Sequence, residues 1–322
     1  MTTRFGVFVP QGWRMDLVEI DDPIDQYEAM TNVAKEADKG GWDSIWVFDH
    51  FHTVPEPTME TTFECWTISA TLARDTSNVH IGQMVGCNGY RHPSLYAKIA
   101  STVDVASYGR FYAGIGAGWY EHEWRAYGYE WTDTPERMGR FREAVQIIHK
   151  MWTEDRPTFS GKRYTIDGPI NEPKSAIPCR KVPLWIGGGG EQVTLKLVAQ
   201  YGDACNLGGD VATLQHKLDV LKGHCETVGR DYGEIIRSTG LDVHPIGPTG
   251  DPVQATAEAR GDMSFEEYTK TTFEGTAEQI REHAQPKLDL GFDYFLLSFR
   301  RIAYTQEAMN RFAEEVIPLF AQ

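Results

Sequence analysis

The sequence predicts an α/β chain folded as a (β/α)8 TIM barrel. Three observations carry that expectation: eight apolar strand-like runs alternate with helical stretches, the 322 residues suffice for such a barrel, and polar or glycine residues follow nearly every strand. A doubly wound sheet could use the same alternation, yet it gives no reason for eight units. Residues 1–322 read as one domain, with 155–182 as an insertion before the fifth strand.

Each element follows from local pattern. "RFGVFVPQG" reads as a buried first strand. From Asp25 to Lys39, Tyr27, Met30, Ala34 and Ala37 share one helical face, and Gly40 and Gly41 stop the helix. "DSIWVFDH" is the second strand, with a helix from Thr61 to Arg74 behind it. "VHIGQMVGCN" is the third; Pro93 then opens a helix expected to turn Leu95, Ile99, Thr102, Val103 and Ala106 inward before Gly109 closes it. "RFYAGIGAG" is the fourth strand. Thr134 and Pro135 start a helix whose apolar stripe is Met138, Phe141, Val145, Ile148 and Trp152. The prolines and glycines of 155–182, with an alternating piece around Tyr164, predict an excursion carrying a small hairpin.

"VPLWIGGGG" runs as a strand into four glycines and then a short helix lined by Leu195, Val198 and Ala199 that ends at Gly202. "DACNLGG" follows as a strand, with Leu214, Leu218, Leu221, Cys225 and Val228 on the next helix. "IIRSTGLDVHPIG" is the seventh strand. After a polar stretch from Gly250 to Lys270, Thr276 and Gln279 predict a capping box for a helix ending near Gly291. "FDYFLLSF" is the eighth strand, and a last helix carries Ala308, Met309, Phe312, Val316 and Phe320.

Bulk composition narrows the function. A formal charge of −15 excludes a general basic field for nucleic acid or anionic membrane, although a local basic pocket could still hold an anion. There is no opening basic-then-apolar run and no apolar segment of about 18 residues, so a soluble cytoplasmic enzyme is expected. Cys65, Cys87, Cys179, Cys205 and Cys225 lack C-x-x-C spacing, which predicts reduced thiols and no zinc site. A small-molecule substrate is the expected partner.

The glycine run is the sharpest motif. Glycine permits positive φ and close approach to the main chain, and a following helix offers free N–H groups and a positive dipole end. Gly187, Gly188, Gly189 and Gly190 therefore predict an anion site, the alternative being a tight turn. The run is no dinucleotide fingerprint, which needs G-x-G-x-x-G after the first strand.

A barrel would gather further residues at the same rim: Pro10 and Gln11; Asp49, His50 and Phe51; Val85, Cys87 and Asn88; Trp119 to His122; Asn206 to Gly209; His244; and Ser298 to Arg301. Asp49 and His50 are adjacent on a strand and point to opposite sides, so no shared metal is expected. His50 reads either as a donor to a ligand or as a wall histidine bonded to carbonyls. "EHE" reads as a solvated helix start, and Trp124, Tyr127, Tyr129 and Trp131 as loop packing. Arg91 and His92 open a helix and could offer cationic donors to a bound tail.

Taken in order, "FGVFVPQGW", "SIWVFDHFHTVP", "GQMVGCNGYRHP", "GRFYAGIGAGWYEHEWRAYGY", "INEPK" and "PLWIGGGGEQVTLKLVAQYGDACNLGG" resemble the luciferase-like monooxygenase superfamily, and most of all its coenzyme F420-dependent oxidoreductase branch. The resemblance implies a deazaflavin lying across the rim, with FMN as the alternative cofactor, and a homodimer. It implies a non-proline cis peptide at Met84-Val85, with Gly82 and Gly86 as room for it. It places Asp49 and His50 beside the ring, Cys87 and Asn88 among the third-strand contacts, and Gly116 to Trp119, including Gly118, in the fourth-strand loop. The glycine run matches the phosphate loop.

Sugar-phosphate dehydrogenases of the superfamily carry a glutamate where this chain has Trp119, which argues against alcohol oxidation. A pocket walled by Trp13, Trp46, Trp119 and Tyr120 points instead to reduction of an apolar or conjugated substrate. His50 is the expected proton donor, with Tyr120 and His122 behind it. An FMN-using monooxygenase and a non-catalytic flavin- or F420-binding protein are the other readings.

Overall fold

The computed structural model describes residues 2–320. In chain order its strands are β1 (Arg4–Phe8), β2 (Ser44–Val47), β3 (His80–Gln83), β4 (Gly86–Cys87), β5 (Phe111–Gly116), β6 (Thr158–Ser160), β7 (Thr165–Asp167), β8 (Leu184–Gly187), β9 (Ala204–Leu207), β10 (Ile236–Gly240), β11 (Val243–Pro245), β12 (Phe273–Gly275) and β13 (Tyr294–Leu297). Eight of them pair in parallel around a ring, β1-β2-β3-β5-β8-β9-β10-β13, and β13 pairs back with β1. The expected (β/α)8 barrel is therefore present. The antiparallel β6 and β7 form the small hairpin of the insertion.

The helices are α1 (Pro23–Lys39), α2 (Cys65–Asp75), α3 (Pro93–Ala106), α4 (Glu121–Ala126), α5 (Thr134–Thr153), α6 (Thr194–Tyr201), α7 (Val211–Val228), α8 (Pro252–Ala255), α9 (Ala257–Arg260), α10 (Phe265–Tyr268), α11 (Ala277–Asp289) and α12 (Glu307–Arg311). Side-chain caps begin many of them. Asp22, Asp133 and Asp210 accept first-turn amides, and Thr276 and Gln279 form the expected capping box.

Several elements differ from the sequence reading. The Glu64 carboxylate caps α2 by accepting the Thr67 amide, so that helix starts at Cys65 rather than Thr61. On α3 the inward face is Tyr96, Ala97, Ala100, Val103 and Asp104; Leu95 and Thr102 point outward, a rotation of about one residue. The seventh strand divides, and β11 leaves the barrel to pair with β12. The last helix loosens into a π turn at Phe312–Val316, where Pro318 has no N–H to continue the ladder.

Trp46, Tyr112, Trp185 and Tyr294 fill the barrel interior, with ring centroids 4.7 Å apart for the two tryptophans. Trp46 is fully buried there and lines neither of the two rim cavities, correcting the sequence reading. Gly82 belongs to the same packing: a Cβ on it would lie 2.3 Å from the Trp46 ring. Between strands and helices sits the larger aliphatic core, which includes Val7, Ile45, Ile81, Ile148, Val198 and Leu221.

Candidate active site

At the C-terminal rim, a cavity of about 380 Å³ opens between the ends of β2, β4, β5 and β8. Its size lies within the ordinary range of small-molecule sites. The wall after β2 is set by Gln11, whose amide donates to the carbonyls of Phe48 and Phe63 and accepts the Phe48 N–H. Gln11 is thus a buried clamp rather than a ligand group.

Asp49 and His50 follow β2, and both line the cavity with different bonding partners. The Asp49 carboxylate accepts the Cys87 amide at 2.8 Å and both terminal nitrogens of Arg91, which also reaches Glu64 at 2.6 Å. Burial, and to a lesser degree the Glu64 charge, raises the Asp49 pKa against the Arg91 guanidinium and the Cys87 amide, while the bidentate geometry is that of an ionised pair. Arg91 is spent on this pair and on Glu64, and the His92 Nδ1 caps α3 by accepting the Ser94 amide.

His50 presents its imidazole to the cavity. The ring stacks on Trp13 at 4.4 Å and meets Trp119 edge-on at 5.5 Å. Its Nδ1 lies 3.0 Å from Glu123 Oε2. Burial works against the Glu123 charge, but His50, Tyr90 and the amide of His52 hold its pKa below the ordinary carboxylate value. A carboxylate only accepts, so Nδ1 carries the hydrogen and Nε2 is left to exchange a proton with a ligand.

Glu123 corrects the reading of "EHE" as a solvated helix start. Glu121 fits that description, being exposed and paired with Arg125. Glu123 is fully buried and also accepts the amides of Phe51 and His52 and the Tyr90 hydroxyl at 2.6 Å. Its only local signal is the adjacent Trp124, itself buried, which shows that this edge of α4 turns inward.

The remaining sequence candidates divide. Met84, Val85, Cys87, Gly116, Gly118, Trp119 and Tyr120 line the cavity with Asp49 and His50. The Met84-Val85 peptide is cis, at the expected place. Burial, then the Asp49 charge, raises the Cys87 pKa, so the group is a thiol. The Tyr120 hydroxyl donates to the Thr53 carbonyl at 3.1 Å. His122 is exposed beside His52 and lies outside the lining, as does Asn88. His244 bonds the Tyr268 hydroxyl at 2.9 Å in a different cavity, away from the crevice where the sequence reading set it.

The glycine run has a more divided role than its pattern implies. Cβ atoms on Gly116 and Gly187 would lie 2.6 and 2.7 Å from the Val85 side chain, so these two glycines let Val85 bulge into the floor. Gly188 takes φ +113°, a conformation that favours glycine. Of the run, only Gly187 and Gly188 line the cavity; Gly189 and Gly190 continue past it, and α6 starts four residues later, at Thr194, rather than directly. Thr194 and Asn206 complete this end. The amides of Gly189, Gly190 and Glu191 donate to no acceptor among the described residues. Beside them, Lys217 and His216 both bond the Glu191 carboxylate.

Free main-chain amides, a glycine-flanked bulge and an imidazole on one barrel rim define a cofactor-binding enzyme of the α/β-barrel class. The chain belongs to the luciferase-like monooxygenase family, whose sequence profile matches residues 3–291. It is 30% identical over 240 residues to an F420-dependent glucose-6-phosphate dehydrogenase of Kineococcus radiotolerans, spanning 72% of this chain and 67% of that one. A protein of the same description from Amycolatopsis mediterranei is 26% identical over 90% of this chain and 93% of its own. Among solved structures, an F420-dependent secondary alcohol dehydrogenase in complex with an F420-acetone adduct superposes with a TM-score of 0.77 at 22% identity, each chain covered in full. Among the described residues no helix is long and apolar enough to cross a membrane, and no group of side chains is arranged to hold a metal.

Proposed function

We propose that this protein is a coenzyme F420-dependent oxidoreductase that transfers a hydride between the cofactor and a small organic substrate, working as a reductase of an activated double bond, imine or carbonyl. Both relatives named above carry F420-dependent activity in their names. One observation of this chain supports the reading most: a crevice with an uncommitted amide cluster at one end and His50 at the other, floored by Val85 between two glycines.

The residues fit such a group. Gly188, the amides of Gly189 to Glu191 and Thr194 would hold its phosphate, and Met84, Val85 and Cys87 would carry the ring. When bound, the deazaflavin supplies a hydride at C5. His50 supplies the matching proton from Nε2, and Glu123 steadies the imidazolium from Nδ1. Trp13, Trp119 and Tyr120 give the substrate aromatic walls.

The test is direct. Purified protein is titrated with F420 and with FMN while fluorescence is followed, and reduced F420 is then offered to a panel of ketones, imines and enones. Saturable F420 binding with reoxidation by a panel member is expected. Tight FMN binding without F420 binding, or F420 binding that no acceptor ever discharges, would overturn the reading.

A further inference from the structure

A second cavity of about 490 Å³ lies on the same rim, over the ends of β1 and β13 and under the excursion that carries α8 to α10. Phe48 lines both cavities, so the two adjoin at that ring. In the ring of strands β1 stands four positions from β8 in either direction, so this cavity faces the glycine loop across the barrel mouth.

Its charges are of two kinds. Arg301 is bonded to Glu19, Asp16 accepts the Gly12 amide, and Arg260 is spent on the carbonyls of Val253 and Met263 and the Thr256 hydroxyl. Arg14 and Arg300 form no salt bridge among the described residues, although the charges of Asp16 and Asp242 act on Arg14 through space. Arg14 donates to Ser298 at 3.3 Å and lies 4.9 Å from the centroids of Trp13 and Phe48, the rings that wall the crevice. A cation therefore stands where the two cavities meet. The uncommitted acids, Asp262 and Glu267, belong to the excursion rather than to the strand ends. Met15 and Arg301, from the loops after the paired strands β1 and β13, both line the cavity and hold positive φ, at 59° and 56°.

We propose that this cavity is a subsite for the anionic end of the substrate, a carboxylate or phosphate group held by Arg14 and Arg300 while the rest reaches over Phe48 into the crevice. The assignment rests on the reading of the crevice as the place of hydride transfer. Guanidinium groups suit such anions because their paired N–H donors match two oxygens.

Arginine modification by phenylglyoxal, mapped by peptide mass spectrometry, tests it. Inorganic phosphate is expected to slow modification of Arg14 and Arg300 severalfold while leaving the exposed Arg125 unchanged. In Arg300→Met, protection of Arg14 should weaken about tenfold in phosphate concentration. Acetate in a parallel arm distinguishes the anion: protection by both marks a carboxylate-tolerant site, and by phosphate alone a phosphate site. Equal modification of Arg14 with and without either anion would overturn the proposal. F420 quenching on the same samples keeps the two readings separate, since loss of cofactor binding strikes the crevice and leaves the protection result standing.

Discussion

His50 and Glu123 lie 73 positions apart in the chain and meet as a bonded pair. The imidazole itself was legible because it closes a strand at the reactive rim. Its carboxylate was not, since in "YEHEW" only the neighbouring Trp124 sets the buried Glu123 apart from the exposed Glu121, and its meaning emerges when α4 is laid against the β2 loop. Glu123→Gln keeps the shape and removes the charge. We expect the single-turnover reduction rate to fall by about tenfold to a hundredfold, with F420 affinity nearly unchanged. Stopped-flow on Glu123→Gln, His50→Ala and the double variant checks it: once His50 is gone, the Glu123 change should cost little more. Full additivity would reduce Glu123 to a loop brace.

Gly188 makes a complementary prediction. An aspartate there meets a strained φ and brings a negative charge to the amide cluster, so Gly188→Asp should weaken F420 binding at least about tenfold. Unchanged quenching would move the phosphate elsewhere. The neighbouring Lys217 is occupied by Glu191, and Glu191→Gln, by releasing it, should tighten F420 binding in the same titration.

At the scale of elements, the strand order and most helices were readable because periodicity and caps are local. The failures have local causes too. A capping carboxylate at Glu64 outcompeted the apparent start at Thr61, and α3 settled one residue round because Tyr96 reaches the Gly114 carbonyl at 2.6 Å through the core. One joint was invisible beforehand. Arg110, just before β5, donates to the carbonyls of Ala73, Thr76 and Val79 and so ties the end of α2 to the start of β3. Burial lowers its pKa, yet the guanidinium stays charged. Arg110→Leu strands those carbonyls and should cost about 3 kcal/mol, read as a lower urea midpoint. A change under about 0.5 kcal/mol would show that water replaces the side chain.

For the whole molecule, pH gives the broadest prediction. Burial lowers the pKa of His80, His149 and His244 below the ordinary 6.5. The unfolded chain then binds more protons than the folded one, so stability is lost as pH falls from about 6.5 toward the folded values. Asp38, Glu64 and Glu123 are held below 3.8 or 4.5 by their partners against the opposing effect of burial, and they add a second loss at more acid pH. Thermal melts should therefore show a Tm that falls between pH 7 and 5, before the carboxylates protonate, and falls again below. A flat Tm above pH 5 would contradict the buried, neutral histidines.

The sequence by itself determined the barrel, the hairpin before its fifth strand and the family, because strand and helix periods, caps and glycine turns are properties of neighbouring residues. Only the tertiary structure decided what each rim residue does. It sent Trp46 into the barrel, committed Arg91 to Asp49, gave Val85 two of the glycines, and brought Glu123 to His50. Those outcomes depend on which side chains arrive at the same point in space, and burial makes each arrival exclusive: a polar group taken from water must find its partner there, whatever the distance along the chain.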